Sequence, residues 1–285
     1  MLSTGRGSEQ VVSTHRPRWL RLLALLVMVL VCAAITVAQT PGSESAAAEQ
    51  ELFRLINRER EQNGLAALQW NEWLALAARK HAQEMARHGQ LSHQFPGEPA
   101  LRDRIAATRL RFDAAAENVA YGPTPAEIND EWMHSAGHRA NILDGQYNAI
   151  GIAVARRGDE LYAVTDFAHS VANLSASELE DAVAGAISQT RKARNLSSLP
   201  RRQDAVLRQF ACNMAKSDRL DTSALLGRPN VSAGLAFTDP DPANFGSHLR
   251  NVANIATSRG FAVGACFARS DTYVEGTNWI VVAFY

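Results

Sequence analysis

The chain has 285 residues, which is enough for one large domain or for two modest domains that each bury their own core. Its 29 Lys and Arg residues balance 29 Asp and Glu residues, so the formal net charge is zero. A chain of this composition presents no broad basic surface, and we therefore expect no nucleic-acid partner.

The amino-terminal region has the features of an export signal. The basic segment RPRWLR is followed by an apolar run over residues 22–38 and then by polar QTPGSES. This pattern predicts a signal at residues 1–38, a linker at 39–48 and a secreted, periplasmic or otherwise extracytoplasmic protein. The run is slightly short for spanning a bilayer, so a retained membrane anchor is the alternative. N-terminal sequencing of the exported protein should find a mature chain that begins near Gln39.

Two amphipathic helices are predicted after the linker. In residues 49–61, Leu52, Leu55 and Ile56 recur at helical spacing, and Asn63-Gly64 ends the helix. In residues 71–87, one stripe carries apolar side chains together with one histidine: Leu74, Ala78, His81 and Met85. We interpret His81 as a buried structural histidine because it lies on this stripe.

Two strands are predicted further along, at residues 150–155 and 161–167. The intervening Arg156-Arg157-Gly158-Asp159 is typical of a hairpin turn. Helices that precede paired strands indicate an α+β fold for this half of the chain.

A set of motifs in these residues resembles one known family. LSHQ contains His93, AENVAYG contains Glu117, and EWMHSAGHRANIL contains Trp132 and His138. These motifs occur in family order between about residues 50 and 169, and they resemble the bacterial form of the CAP superfamily (cysteine-rich secretory, antigen 5 and pathogenesis-related, or SCP-like, proteins). The resemblance implies a CAP-type α-β-α sandwich over residues 49–170.

The second half of the chain echoes the first. LAAL at 65–68 returns as LSSL at 196–199, AQEMARHGQL as ACNMAKSDRL, and IGIAVAR as VGACFAR. These echoes predict a smaller, degenerate CAP-like α+β unit at residues 175–285 with a structural role. Aligning Met85 with Met214 places Phe210 opposite His81 and Thr222 opposite His93. An unrelated α+β tail is the alternative interpretation.

Two of the three cysteines, Cys212 and Cys266, lie in the second half. In an exported chain they form either one disulfide or a pair of buried thiols, and the sequence leaves both open.

The resemblance implies that His93, Glu117 and His138 converge in a cleft. Imidazole and carboxylate groups suit zinc or another divalent metal, and they also suit a proton relay. Ser135 stands where eukaryotic relatives carry a second glutamate, so Glu131 or Asp166 is needed as a replacement acid. Ser135 is also predicted to cap the short helix that carries His138. A buried polar cluster that only stabilises loops is the alternative.

The leading functional hypothesis is a secreted, non-enzymatic binding module. Its ligand is predicted to be a small apolar molecule, a cell-wall component or an extracellular protein partner. The chain contains no G-x-S-x-G elbow, P-loop or Rossmann glycine pattern. The alternative is a metal-dependent hydrolase or peptidase, in which Glu117 is the general base and His93 and His138 hold a metal-bound water.

Overall fold

A computed structural model describes residues 41–250 and 257–285. The predicted export signal at 1–38 lies outside the described residues. Among the described residues, no helix is both long enough and apolar enough to cross a membrane.

The first half contains five helices and four strands within the described residues. The helices are α1 (Pro41–Gln62), α2 (Glu72–His88), α3 (Leu101–Ala106), α4 (Pro125–His134) and α5 (Ala136–Ile142). The strands are β1 (Gln69–Trp70), β2 (Phe112–Gly122), β3 (Ala149–Arg157) and β4 (Glu160–Ser170).

These strands form one sheet in the order β1-β3-β4-β2. Strand β4 is antiparallel to both β2 and β3, whereas β1 is parallel to β3. Because strand side chains alternate, the sheet has two apolar faces. One face packs on α1, α4 and α5 through Leu52, Trp132 and Ile142, and the other packs on α2 through Ala78 and Met85. This arrangement of three layers is the predicted α-β-α sandwich.

The hairpin and the second helix are confirmed. Strands β3 and β4 meet at Gly158, whose φ of 61° is easily adopted by glycine in a tight turn. Helix α2 begins after Asn71, whose side chain accepts hydrogen bonds from the backbone N–H groups of Trp73 and Leu74. It ends at Gly89 in the left-handed conformation.

The predicted linker at 39–48 is wrong for its larger part, because helix α1 already begins at Pro41. Proline is favoured in the first turn of a helix, and the alanines at 46–48 propagate it. The polar composition of this segment therefore belongs to the start of a helix.

The second half forms a smaller α+β region with its own sheet. Its described helices are α6 (Ala176–Ala193), α7 (Ala205–Lys216), α8 (Ser223–Leu226) and α9 (Phe245–Leu249), and its strands are β5 (Ala233–Asp239), β6 (Phe261–Ala268) and β7 (Thr277–Phe284). The sheet order is β5-β7-β6, and both pairings are antiparallel. Helix α6 covers one face, and α7 covers the other.

The two halves share local details as well as element order. Arg60 near the end of α1 and Arg191 near the end of α6 are both buried, and each donates from Nε to a carbonyl oxygen six residues later. Gly151 on β3 lies against the backbone of α2, and Gly264 on β6 lies against the backbone of α7.

These details correct the alignment of the second helix. Asn71 and Asp204 both cap their helices, and the residues nearest Gly151 and Gly264 are Leu74 and Leu207. Pairing Met85 with Met214 is therefore wrong by four residues, or about one helical turn. The corrected pairing places Met214, and no longer Phe210, opposite His81.

Cys212 on α7 and Cys266 on β6 form a disulfide, with Cα atoms 5.2 Å apart. The bond joins the helix to the sheet within the second half. Of the two alternatives that the sequence leaves open, the disulfide is the one found, and it fits an extracytoplasmic location.

The close approach at Gly151 gives a testable prediction. A Cβ at this position would overlap the backbone of Leu74 and Ala75, so Gly151→Ala forces α2 away from the sheet. We expect the free energy of unfolding, measured by urea titration, to fall by about 1–3 kcal/mol. Gly185→Ala is the matched control, because Gly185 lies inside α6 with open space around it. That variant should be slightly more stable than the parent, and equal effects of the two substitutions would contradict the packing argument.

Candidate functional site

The centre of the candidate site is a contact between His93 and Glu117. His93 lies in the loop after α2, and its side chain is 62% exposed, whereas the side chain of Glu117 on β2 is 3% exposed. The His93 Nδ1 atom is 2.9 Å from Glu117 Oε1. This hydrogen bond raises the pKa of His93, and partial burial opposes the shift. The imidazole thus reaches solvent with Nε2 while Nδ1 is fixed on the carboxylate.

Arg104 on α3 holds the other oxygen of Glu117. Its Nη2 atom donates to Glu117 Oε2, and its Nη1 atom donates to the backbone oxygens of His93 (3.3 Å) and Pro99 (3.2 Å). Arg104 itself is buried. One guanidinium therefore neutralises the glutamate and also binds the loop that carries His93 at two backbone positions.

A second carboxyl group lies beside this pair. Asp166 on β4 is directly opposite Glu117 in the strand register and is fully buried. Burial, followed by the negative charge of Glu117, raises the pKa of Asp166 well above its usual range. Asp166 therefore favours its neutral form, and it lies close enough to Glu117 for the two carboxyl groups to interact.

His138 lies near enough to His93 for the charge on His93 to affect it. It lies on α5, and its backbone oxygen accepts a hydrogen bond from Asn118 Nδ2 at 3.0 Å. Its Nδ1 atom is buried and has no hydrogen-bond partner among the described residues. Burial, with a smaller effect of the charge on His93, lowers the pKa of His138. The two histidines therefore differ: His93 favours its protonated form, and His138 favours its neutral form.

The predicted cap of the His138 helix is not formed as expected. Ser135 occupies the N-cap position of α5, but its side chain makes no capping hydrogen bond. The neutral form of His138 is therefore explained by burial.

His81 is confirmed as a buried, hydrogen-bonded histidine. It is 0% exposed, its Nε2 atom is 2.7 Å from the backbone oxygen of Ser92, and its Nδ1 atom is 2.8 Å from Glu98 Oε1. Glu98 also accepts a hydrogen bond from the backbone N–H of Phe95. His81 and Glu98 thus fix the loop on both sides of His93.

We expect His81→Ala to lower the free energy of unfolding by about 1–3 kcal/mol, because it removes packing and leaves the buried Ser92 carbonyl without a donor. Urea unfolding measures the loss. His134→Ala is the control, since the side chain of His134 is 78% exposed, and it should be nearly neutral. An unchanged midpoint for His81→Ala together with altered ligand binding would reverse the assignment.

The proposed metal ligands do not form a suitable set. Among the described residues, no group of three or more His, Cys, Asp or Glu side chains is arranged to hold a metal ion. Both oxygens of Glu117 are already engaged, one by Arg104 and one by His93. A metal would have to displace the guanidinium. Of the replacement acids, Glu131 is exposed on α4, and Asp166 is fully buried.

Arg104 and Glu98 are the site residues that sequence reasoning missed. Both act through contacts that form only in the folded chain, because Arg104 reaches Glu117 and Glu98 reaches His81 across intervening elements. In the sequence, Arg104 looks no different from Arg102, its neighbour on the same short helix.

Comparison with known proteins identifies the first half. Residues 53–174 match the cysteine-rich secretory protein family, CAP. This segment is a CAP domain. The family resemblance seen in the motifs is therefore confirmed. The matched segment begins and ends within a few residues of the range that the motifs indicated.

Several bacterial relatives share this domain. The uncharacterized protein YkwD of Bacillus subtilis is 36% identical over 43% of this chain and 48% of its own length. The uncharacterized membrane protein YlbC of the same species is 33% identical over 38% of this chain and 32% of its own length. The crystal structure of an extracellular protein containing an SCP domain from Bacillus anthracis is 26% identical, covers 45% of this chain and 42% of that chain, and has a TM-score of 0.42. The chain thus spans about half or less of the length of these three relatives.

Proposed function

We propose that this chain is an extracytoplasmic, non-enzymatic binding module whose CAP domain recognises an amide-bearing ligand. The observation that supports it is the state of Glu117. With one oxygen on Arg104 and the other on His93, the carboxylate is not free to accept a proton from a nucleophilic water. The metal-dependent hydrolase with Glu117 as general base is therefore the weaker hypothesis.

The ligand chemistry follows from the two histidines. His93, with a raised pKa and Nε2 toward solvent, is a hydrogen-bond donor. His138, with a lowered pKa, favours the neutral form, in which one ring nitrogen can accept a hydrogen bond. An amide supplies a carbonyl acceptor and an N–H donor close together. A peptide segment, either of the cell wall or of a protein partner, fits this pair better than a purely apolar molecule.

The second half is proposed to be a degenerate CAP-like repeat with a structural role. Support comes from the shared strand order and the matching buried arginines. It also contacts the CAP domain: Arg102 pairs with Glu275 at 2.6 Å, and the Arg111 guanidinium lies 3.7 Å from the ring centre of Phe267. These contacts brace α3 and the start of β2, the two elements that carry Arg104 and Glu117.

The test is an NMR titration of the histidine side chains. Soluble peptide fragments of digested peptidoglycan are added to the purified protein, and chitin oligosaccharides, which carry no peptide, are the matched glycan probe. We expect the peptides to shift the His93 and His138 resonances, to leave His134 unchanged and to remain uncleaved by mass spectrometry. His93→Gln and His138→Gln should each weaken binding about tenfold, and His134→Gln should not.

Two results would overturn the proposal. Equal shifts with the glycan would remove the amide as the recognised group. Cleavage of the peptides, with or without added zinc, would show an enzyme, and loss of that cleavage in Glu117→Gln would assign the base.

A further inference from the structure

A cavity on the outer side of α2 lies behind the loop that carries His93. Its volume is about 690 Å³, within the range of small-molecule sites. Its walls come from α2, from the loop at 95–99 and from α3. They are mainly apolar, with contributions from Leu76, Ala77, Phe95, Pro96, Pro99 and Ala107. Neither His93 nor His138 lines it, so this α2–α3 cavity is separate from the candidate cleft.

The charges that line the α2–α3 cavity are paired, with one exception. Arg87 is bound to Glu84, Glu98 to His81, and Arg104 to Glu117. Lys80 also lines the cavity, and no described residue forms a hydrogen bond or ion pair with it. The cavity therefore combines apolar walls with one lysine that has no hydrogen-bond or ion-pair partner among the described residues.

The cavity shares two residues with the support of the His93 loop. Glu98, which lines the cavity, holds His81 and the Phe95 backbone. Arg104, which also lines it, holds Glu117 and the backbone oxygen of His93. A molecule in the cavity touches the groups that set the position and the charge of His93.

We propose that the α2–α3 cavity is a second binding site, for a compact amphipathic monoanion, and that its occupancy alters the environment of His93. The apolar walls take the body of the ligand, and Lys80 takes its anionic group. Glu98 and Arg104 couple the two sites, because both residues line the cavity and also support the loop that carries His93. This site does not depend on the ligand proposed for the cleft.

A matched pair of fluorescent probes tests the site. Anilinonaphthalene sulfonate is a compact monoanion, and N-phenylnaphthylamine has the same ring system without the sulfonate. We expect the full-length exported protein to bind the sulfonate at least about fivefold more tightly than the neutral amine. Equal affinities would overturn the assignment of a monoanion.

Variants place the probe. Ala107→Trp fills the mouth of the cavity at an exposed position and should reduce sulfonate binding about tenfold or more. Lys80→Gln should reduce it about fivefold, whereas Lys216→Gln, an exposed lysine on α7 outside the cavity, should leave it unchanged. If Ala107→Trp leaves the affinity for the sulfonate unchanged, the probe binds elsewhere and the proposed site is overturned.

The coupling has its own readout. In the parent protein, saturating sulfonate should shift the His93 ring resonances and leave those of His134 unchanged. In Ala107→Trp, the same concentration should leave His93 unshifted. A parent protein that binds the sulfonate in the cavity without any change at His93 would overturn the coupling.

Discussion

Replacing Arg104 with methionine should lower the free energy of unfolding by about 3–5 kcal/mol. Methionine keeps much of the buried volume but removes the buried counter-charge of Glu117, which leaves the carboxylate only the mostly exposed His93 as a partner. It also removes the donor to the backbone oxygens of His93 and Pro99. Urea unfolding of the two proteins at neutral pH measures the difference.

Two further variants isolate the charge effect. Arg54→Met removes an arginine whose side chain is 58% exposed and, among the described residues, pairs only with Glu51 on the same helix, so it should cost less than about 1 kcal/mol. Adding Glu117→Gln to Arg104→Met should recover part of the loss, because the carboxylate that lost its buried partner is gone. A loss below 1 kcal/mol for Arg104→Met would mean that Glu117 is not held by this ion pair.

Removing the Cys212–Cys266 disulfide should cost about 4 kcal/mol. The bond closes a loop with a sequence separation of 54 residues, and the chain-entropy model gives this magnitude for a loop of that size. The double variant Cys212→Ser, Cys266→Ser should melt at a lower temperature than the parent. A thiol reductant should lower the melting temperature of the parent and leave that of the double variant unchanged. A parent that keeps its melting temperature after full reduction would contradict the prediction.

Much of the CAP domain follows from local signals in the sequence. Helix α2 has a capping residue at Asn71 and a stop at Gly89, and the β3–β4 hairpin has a glycine where the turn needs a positive φ. His81 is predictable as a core residue because its helix stripe is otherwise apolar. The order of the motifs identifies His93, Glu117 and His138 as candidate site residues without any structural information.

Other features escape local analysis because they depend on contacts distant in the sequence. Strand β2 carries Glu117 and Asn118 in succession, so its apolar alternation is interrupted at the site itself. The role of Arg104 depends on a partner in another element. The sequence alignment of α7 with α2 is off by one helical turn. A shift of four residues brings an apolar helix stripe back onto nearly the same face, so the apolar pattern fits either alignment. Only the caps and the glycine contacts distinguish the two registers.

The buried Asp166 makes folding a proton-linked process. An acid whose pKa is higher in the folded state binds more protons when folded, so stability falls as pH rises from about 4 toward the folded pKa. Asn at this position has the same shape and needs no proton. We expect Asp166→Asn to be more stable than the parent at neutral pH and to lose less stability between acid and neutral pH, measured as melting temperature across that interval. A parent whose melting temperature does not fall relative to that of the variant would show an ionised Asp166. The contribution of this one group thus links folding to the uptake of a proton, and by itself it favours the folded chain at acidic pH.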